Sequence, residues 1–178
     1  MTERVGIIDL GSNSARLIVM HIYNNGSYNL VYNQKEAIRL SEGMSSNNLL
    51  EQAAMTRAIG TLKMFSRMCE LFKVDKMIAV ATAAVRNADN GPEFLQMVHR
   101  ETRIPLTVIS GEEEARLGYT GAINTLDTPD ALIFDLGGGS TEVTLVRGRN
   151  VKHALSLPFG AVTMTELFDT QDKRSEER

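Results

Sequence analysis

The sequence predicts an α/β protein, a mixed sheet flanked by helices and followed by the opening of a duplicated second unit. Three observations carry that expectation. Residues 4–36 read as three apolar stretches joined by short turns, the pattern of an antiparallel meander. After residue 48 helical and strand periods alternate, as they do where helices cross over between strands of one sheet. Third, GIIDLGSNSARLIV at 6–19 is echoed by IFDLGGGSTEVTLV at 133–146. Asp9, Gly11, Ser14, Leu17 and Val19 recur at one constant offset as Asp135, Gly137, Ser140, Val143 and Leu145.

Taken in order, 4–10, 15–23 and 27–36 are strands, with Gly-Ser-Asn-Ser and NNGS as their turns. Leu50, Ala54, Ala58, Leu62, Phe65, Cys69 and Phe72 then recur at helical spacing, and Asn48 with Glu51 reads as the capping box of a long helix. KMIAVATAAV is a buried strand, PEFLQMVHRET a helix with Pro92 in its first turn, and IPLTVIS a further strand. In GEEEARLGYTGAINTL, Ala115, Gly118, Tyr119, Ala122, Ile123 and Leu126 share one helical face. Ser110 caps this helix with Glu113 reaching back, and three glutamates fill the turn where the helix dipole favours negative charge. Beyond the DTPD linker, 131–136, 141–147 and 151–157 are strands and 161–168 a short helix, before a solvated DTQDKRSEER tail. The expected division is a complete domain over 1–126 and the start of a second over 127–178. A second sheet built only so far leaves an edge and an apolar face uncovered, so the chain is expected either to self-associate, as a homodimer for example, or to be mobile after residue 127.

Composition narrows the function classes. At 178 residues the chain can bury a sizeable core. A formal charge of −3 gives no general attraction to nucleic acid or an anionic membrane, so neither is an expected partner, and a polyanion must be held by a local cluster of donors. The single cysteine, Cys69, cannot form an internal disulfide and falls in a helical pattern, as a buried thiol in a reducing compartment would. Asp9 interrupts an N-terminal apolar run already too short for a signal segment, and no later run spans a bilayer; the expected location is cytoplasmic.

The repeated turns carry the chemistry. Gly11, Ser12, Asn13 and Ser14, and again Gly137, Gly138, Gly139 and Ser140, expose backbone N–H groups with few side chains in the way and add hydroxyls, which suits them to wrap a phosphate. Asp9 and Asp135, at the ends of the preceding strands, are placed to hold a metal ion beside that phosphate. One such turn alone reads better as a tight hairpin; two matched copies facing across a cleft read as a phosphate clamp. Within the triple glutamate, Glu112 and Glu113 can pair with Arg116 on the outer helix face. Glu114 has Leu117 and Gly118 as its neighbours and borders the apolar face beside a bare glycine. Arg86, after a buried strand, suits a bidentate phosphate contact. His21, His99 and His153 share no ligand or triad spacing and read as structural.

The blocks DLGSNSARL, ATAAVRNADN, ISGEEEARLGYTG, DLGGGSTE and SLPFGAV, in this order, resemble the exopolyphosphatase / guanosine pentaphosphate phosphatase family (Ppx/GppA), which has the actin-like (ribonuclease H-like) fold. DLGGGS alone points only to the wider superfamily of sugar kinases, actin and Hsp70-type ATPases; ISGEEEAR is the discriminating block. Ala83 departs from the family, which often has Ser there. The resemblance implies a phosphoanhydride hydrolase acting on polyphosphate or guanosine pentaphosphate with Mg²⁺ or another divalent cation. Glu114 matches the family's catalytic glutamate, Arg86 a substrate-phosphate ligand, and Glu142 a carboxylate serving the metal or its water network. An actin-like ATPase or sugar-kinase fragment shares both loops and is one alternative; a non-catalytic phosphate- or alarmone-binding module is another. Family members continue beyond this length, so weak hydrolysis by these 178 residues alone is expected.

Overall fold

Strands β1 (Glu3–Leu10), β2 (Ser14–Ile22) and β3 (Tyr28–Ala37) form the expected antiparallel meander in the computed structural model, which describes residues 2–44 and 47–168. Helix α1 (Gln52–Leu71) crosses the sheet, and β4 (Lys76–Ala81) then pairs parallel with β1. After the short helix α2 (Ala83–Asn87) and α3 (Gly91–Thr102), β5 (Leu106–Val108) completes the order β3-β2-β1-β4-β5. The core lies on one face of this sheet. Ile8, Leu10, Leu17 and Val19 meet Ala58, Leu62 and Phe65 of α1 and Phe94 and Val98 of α3, all buried. Each such side chain contributes about 1.5–3 kcal/mol by leaving water. Cys69 belongs to this core, and burial pushes its thiol pKa up, with Glu70 adding to the effect.

Two local expectations are corrected. No capping box forms at Asn48, which adopts a left-handed φ of 57°; α1 starts at Gln52 with Glu51 as its uncapped N-cap residue. A tertiary contact overrides the local signal. Asn90 Oδ1 accepts from Leu50 N at 2.8 Å, and its Nδ2 donates to Leu50 O at 3.0 Å, which fixes the approach to the helix. KMIAVATAAV is not one strand either: it ends at Ala81, and Arg86 N donates to Thr82 O at 3.0 Å as the chain coils into α2. Alanine's helix preference and the burial of Ala84 and Val85 in the first core favour that turn.

Helix α4 (Gly111–Ile123) leads to a second meander, β6 (Ala131–Leu136), β7 (Thr141–Arg147) and β8 (Asn150–Leu157), followed by α5 (Ala161–Leu167). A division at Leu126 groups α4 with the first sheet in chain order, whereas its packing partners are strands of the second. Thr144 Oγ1 donates to Ala115 O at 3.2 Å, and Arg149 Nη2 donates to Ile123 O at 2.9 Å at the helix end. The opposite face of this sheet is open, with Leu132, Phe134, Leu136, Leu155 and Leu157 exposed. The tail at 169–178 lies outside the described residues. Among those described, no helix is long and apolar enough to cross a membrane.

Replacing Asn90 with Ala leaves the Leu50 N–H and C=O without their partner. The variant should lose about 1–2 kcal/mol. Urea unfolding should show a lower midpoint at unchanged slope.

Candidate functional site

The two sheets meet through their repeated turns. Gly11 N donates to Ser14 O at 3.0 Å and Gly137 N to Ser140 O at 2.9 Å, so both copies close the turn in the same way. The loop carbonyls are occupied. Ile38 N and Arg39 N donate to Asn13 O and Ser41 N to Ser12 O, while Ala161 N and Val162 N at the start of α5 donate to Gly137 O and Gly138 O. The N–H groups of Ser12, Asn13, Gly138 and Gly139 donate to no protein acceptor among the described residues. Both loops therefore keep donors for an anion while their backbone is held from behind.

The loops also touch. A Cβ on Gly139 would overlap Ser12 Oγ, one on Gly138 would stand 3.1 Å from Asn13 Cβ, and one on Gly160 would overlap the backbone of Gly138. Between them lies a cavity of about 180 Å³. It is lined by every residue the sequence singled out except Arg86: Asp9, Gly11, Ser12, Asn13 and Ser14 from the first copy, Asp135, Gly137, Gly138, Gly139, Ser140 and Glu142 from the second, and Glu114 from α4. Thr82, which sequence reasoning missed, lines it as well, though it sits in the quoted ATAAVR block.

Glu114 reaches the cavity because Ser110 fixes the start of α4, accepting from Glu113 N at 3.1 Å. Glu112 pairs outward with Arg116 at 2.9 Å, as its spacing predicted. Arg86 stands behind Glu114: its Nη1 donates to Glu114 Oε2 at 2.9 Å and to Ile109 O at 3.1 Å. Burial raises the pKa of Glu114 above the ordinary carboxylate value; the Arg86 hydrogen bond opposes this, and the charges of Glu142 and Asp9 reinforce it. Glu142, only 5 % exposed on β7, has Oε1 held by the hydroxyl of Ser156 at 2.7 Å. Sequence reasoning missed that role of Ser156 too, within SLPFGAV. The Asp9 carboxylate keeps an accessible surface, yet the cleft walls crowd it. That desolvation raises its pKa; Arg16 and Lys35 pull it down, and Asp135 pushes it up.

No three acidic, histidine or cysteine side chains among the described residues converge closely enough to hold a metal ion by themselves. Yet four carboxylates line about 180 Å³, and a phosphate cannot enter such a cavity without a compensating cation. That donor set suits a hard divalent ion bound through one or two carboxylates, water and substrate oxygens.

The chain belongs to the Ppx/GppA phosphatase family, whose model matches residues 18–178. It is 32% identical over 176 residues to a bifunctional 3-dehydroquinate synthase/phosphatase of Fusobacterium nucleatum, covering 93% of this chain and 26% of that protein. An exopolyphosphatase from Cytophaga hutchinsonii superposes with a TM-score of 0.90 at 29% identity, over 96% of this chain and 55% of that one. The Aquifex aeolicus member of the Ppx/GppA family gives 0.79 at 34% identity, over 99% and 58%. The chain thus spans little more than half of the solved relatives and about a quarter of the bifunctional one. At 14% identity, the ethanolamine utilization protein EutJ from Carboxydothermus hydrogenoformans, TM-score 0.51, shares the fold alone. The fold is the actin-like, ribonuclease H-like α/β fold.

Two measurements check this site. Gly160→Ala should cost about 1–3 kcal/mol by overpacking against Gly138 and shift the Gly138 and Gly139 amide resonances. Gly121→Ala, with nothing within 4 Å in the interior of α4, should instead stabilise by about 0.5–1 kcal/mol.

The raised pKa of Asp9 means that its contribution to stability is full below the unfolded value and lost as pH rises through the folded one. Asp9→Asn should therefore gain on the wild type as pH climbs from about 4 and level off above the folded pKa. Melting curves in chelator across that range measure the gap; a constant gap would contradict the assignment.

Proposed function

We propose that this chain forms the phosphate-gripping part of an enzyme that hydrolyses the terminal phosphoanhydride bond of inorganic polyphosphate or guanosine pentaphosphate. The observation carrying the proposal is the Glu114 carboxylate in the same cavity as both turns. Membership of a phosphatase family and the likeness to an exopolyphosphatase support it. The unspent N–H groups of the two loops bind the non-bridging oxygens of the terminal phosphate and stabilise the charge that grows there during transfer. Asp9 and Asp135, with Glu142 behind them, would hold Mg²⁺, which supplies charge neutralisation to the phosphate oxygens.

Glu114 orients a water and takes its proton as the water oxygen bonds to phosphorus. The bridging P–O bond breaks, its electron pair leaves with the shortened chain, and the orthophosphate released carries the water oxygen. A carboxylate made more basic by burial suits this step. Arg86 holds Glu114 in place and keeps the other edge of its guanidinium for phosphate.

Phosphate release from polyphosphate, guanosine pentaphosphate and ATP, each with and without Mg²⁺, tests the reading. Release from either of the first two, dependent on Mg²⁺, is expected. Release from ATP alone would point to an actin-like ATPase, and binding without release to a phosphate-binding module. In a chain that turns over, Glu114→Gln should lower the rate by about 10²–10⁴-fold and leave binding nearly intact. Glu113→Gln should do little; equal losses would remove Glu114 from its role.

A further inference from the structure

Arg86 uses a single nitrogen, Nη1, for both of its protein contacts. Its Nε and Nη2 donate to nothing among the described residues, and Nη2 lies beside Gly111, 3.6 Å from where a Cβ would stand. This free edge borders a second cavity of about 270 Å³, lined also by Asn87, Ser140 and Ser156. Glu112 lines it too, but its carboxylate is engaged by Arg116. Ser140 belongs to both cavities, and Glu114 belongs to the first while its partner Arg86 belongs to the second. The two cavities therefore share a wall made of Ser140 and the Arg86–Glu114 pair.

We infer that this second cavity is a phosphate site distinct from the two-loop cleft, and that it receives the orthophosphate released there. A free guanidinium edge presents two donors at the spacing of two phosphate oxygens, and the Asn87 amide and Ser140 hydroxyl add polar partners. Its place in turnover rests on the reading of Glu114 as the base. A water held by Glu114 attacks from the wall side, in-line displacement carries the phosphoryl group towards that wall, and the shortened chain stays with the loops. Nothing else in the second cavity competes for the arginine edge.

Titrating the ¹⁵N-labelled full chain with inorganic phosphate in Mg²⁺, with tripolyphosphate supplied as its non-hydrolysable imido analogue, tests the site independently of hydrolysis. The amides of Asn87, Gly111 and Ser156 should shift saturably, and still do so after tripolyphosphate has filled the cleft and moved Gly11, Gly138 and Gly139. Asn87→Asp puts a carboxylate into this cavity and should weaken phosphate binding about tenfold while tripolyphosphate still binds at the loops. Shifts confined to the loop glycines, loss of the phosphate response once tripolyphosphate is bound, or unchanged phosphate affinity in Asn87→Asp would overturn the inference. In the last case but one, the cavity holds the next phosphate of the chain and not the product. Failure of Glu114→Gln to slow hydrolysis sinks the base alone and leaves these binding results standing.

Discussion

The contact between the two turns, Gly138 and Gly139 without side chains against the side chains of Ser12 and Asn13, is the constraint on which the cleft depends. Each turn belongs to a different sheet, and neither sheet contributes a strand to the other. Packing at the turns therefore fixes the distance between the two sets of donors, together with the Arg86–Glu114 contact on the far side of the cavity. Glycine there costs conformational entropy on folding, but an added Cβ at Gly139 would overlap Ser12 Oγ and one at Gly138 would crowd Asn13, so the close approach of the loops rests on their small size. The same economy appears at Gly160, where the start of α5 lies on the Gly138 backbone and takes its carbonyl as an acceptor. Segment 38–41 does this for the first loop from the other side. Both turns are thus backed by hydrogen bonds to their carbonyls, and their N–H groups are left for a ligand.

The electrostatics run against stability in the same place. Asp9, Glu114, Asp135 and Glu142 line one small cavity, and two of them have pKa values raised by burial and by their neighbours' charges. A folded chain tolerates such crowding only when other parts of the structure hold it, and each acid here has a fixed position. Ser156 pins Glu142, Arg86 pins Glu114, and strand pairing carries Asp9 and Asp135. The repulsion that burdens the free chain is what a cation and a phosphate relieve together.

Most of this arrangement was legible because it is written in periodic or repeated patterns. The duplication was visible at one offset, and it located both loops and both aspartates before any contact was known. Strand boundaries followed from alternation and turn residues, and Ser110 was readable as a cap because capping is local. The misses share a cause. Asn48 failed as a cap because Asn90, about forty positions away, fixes Leu50 from both sides. Ala83–Asn87 coils where hydrophobicity alone suggests strand, because a buried alanine run fits either period. Thr82 matters through what it faces across the cleft, and Ser156 through its register opposite Glu142 on the neighbouring strand; no motif in the chain marks either role. The Arg86–Glu114 pair was likewise out of reach: the spacing on α4 left Glu114 without a partner, and its partner arrives from another element.

That pair also ties the two sheets to one another chemically. Arg86 rides on α2, whose Ala84 and Val85 anchor it in the first core, and Glu114 rides on α4, which lies along the second sheet. The 2.9 Å contact between them therefore spans the same boundary as the loop contact, from the other side of the cavity. A displacement of one sheet against the other would open both together: the donors for the phosphate would separate, and the carboxylate would lose the group that orients it. The loops and Glu114 are consequently not independent parts of a site. The loop contact and the Arg86–Glu114 pair close the same boundary, so the geometry that grips a phosphate also sets the carboxylate beside it.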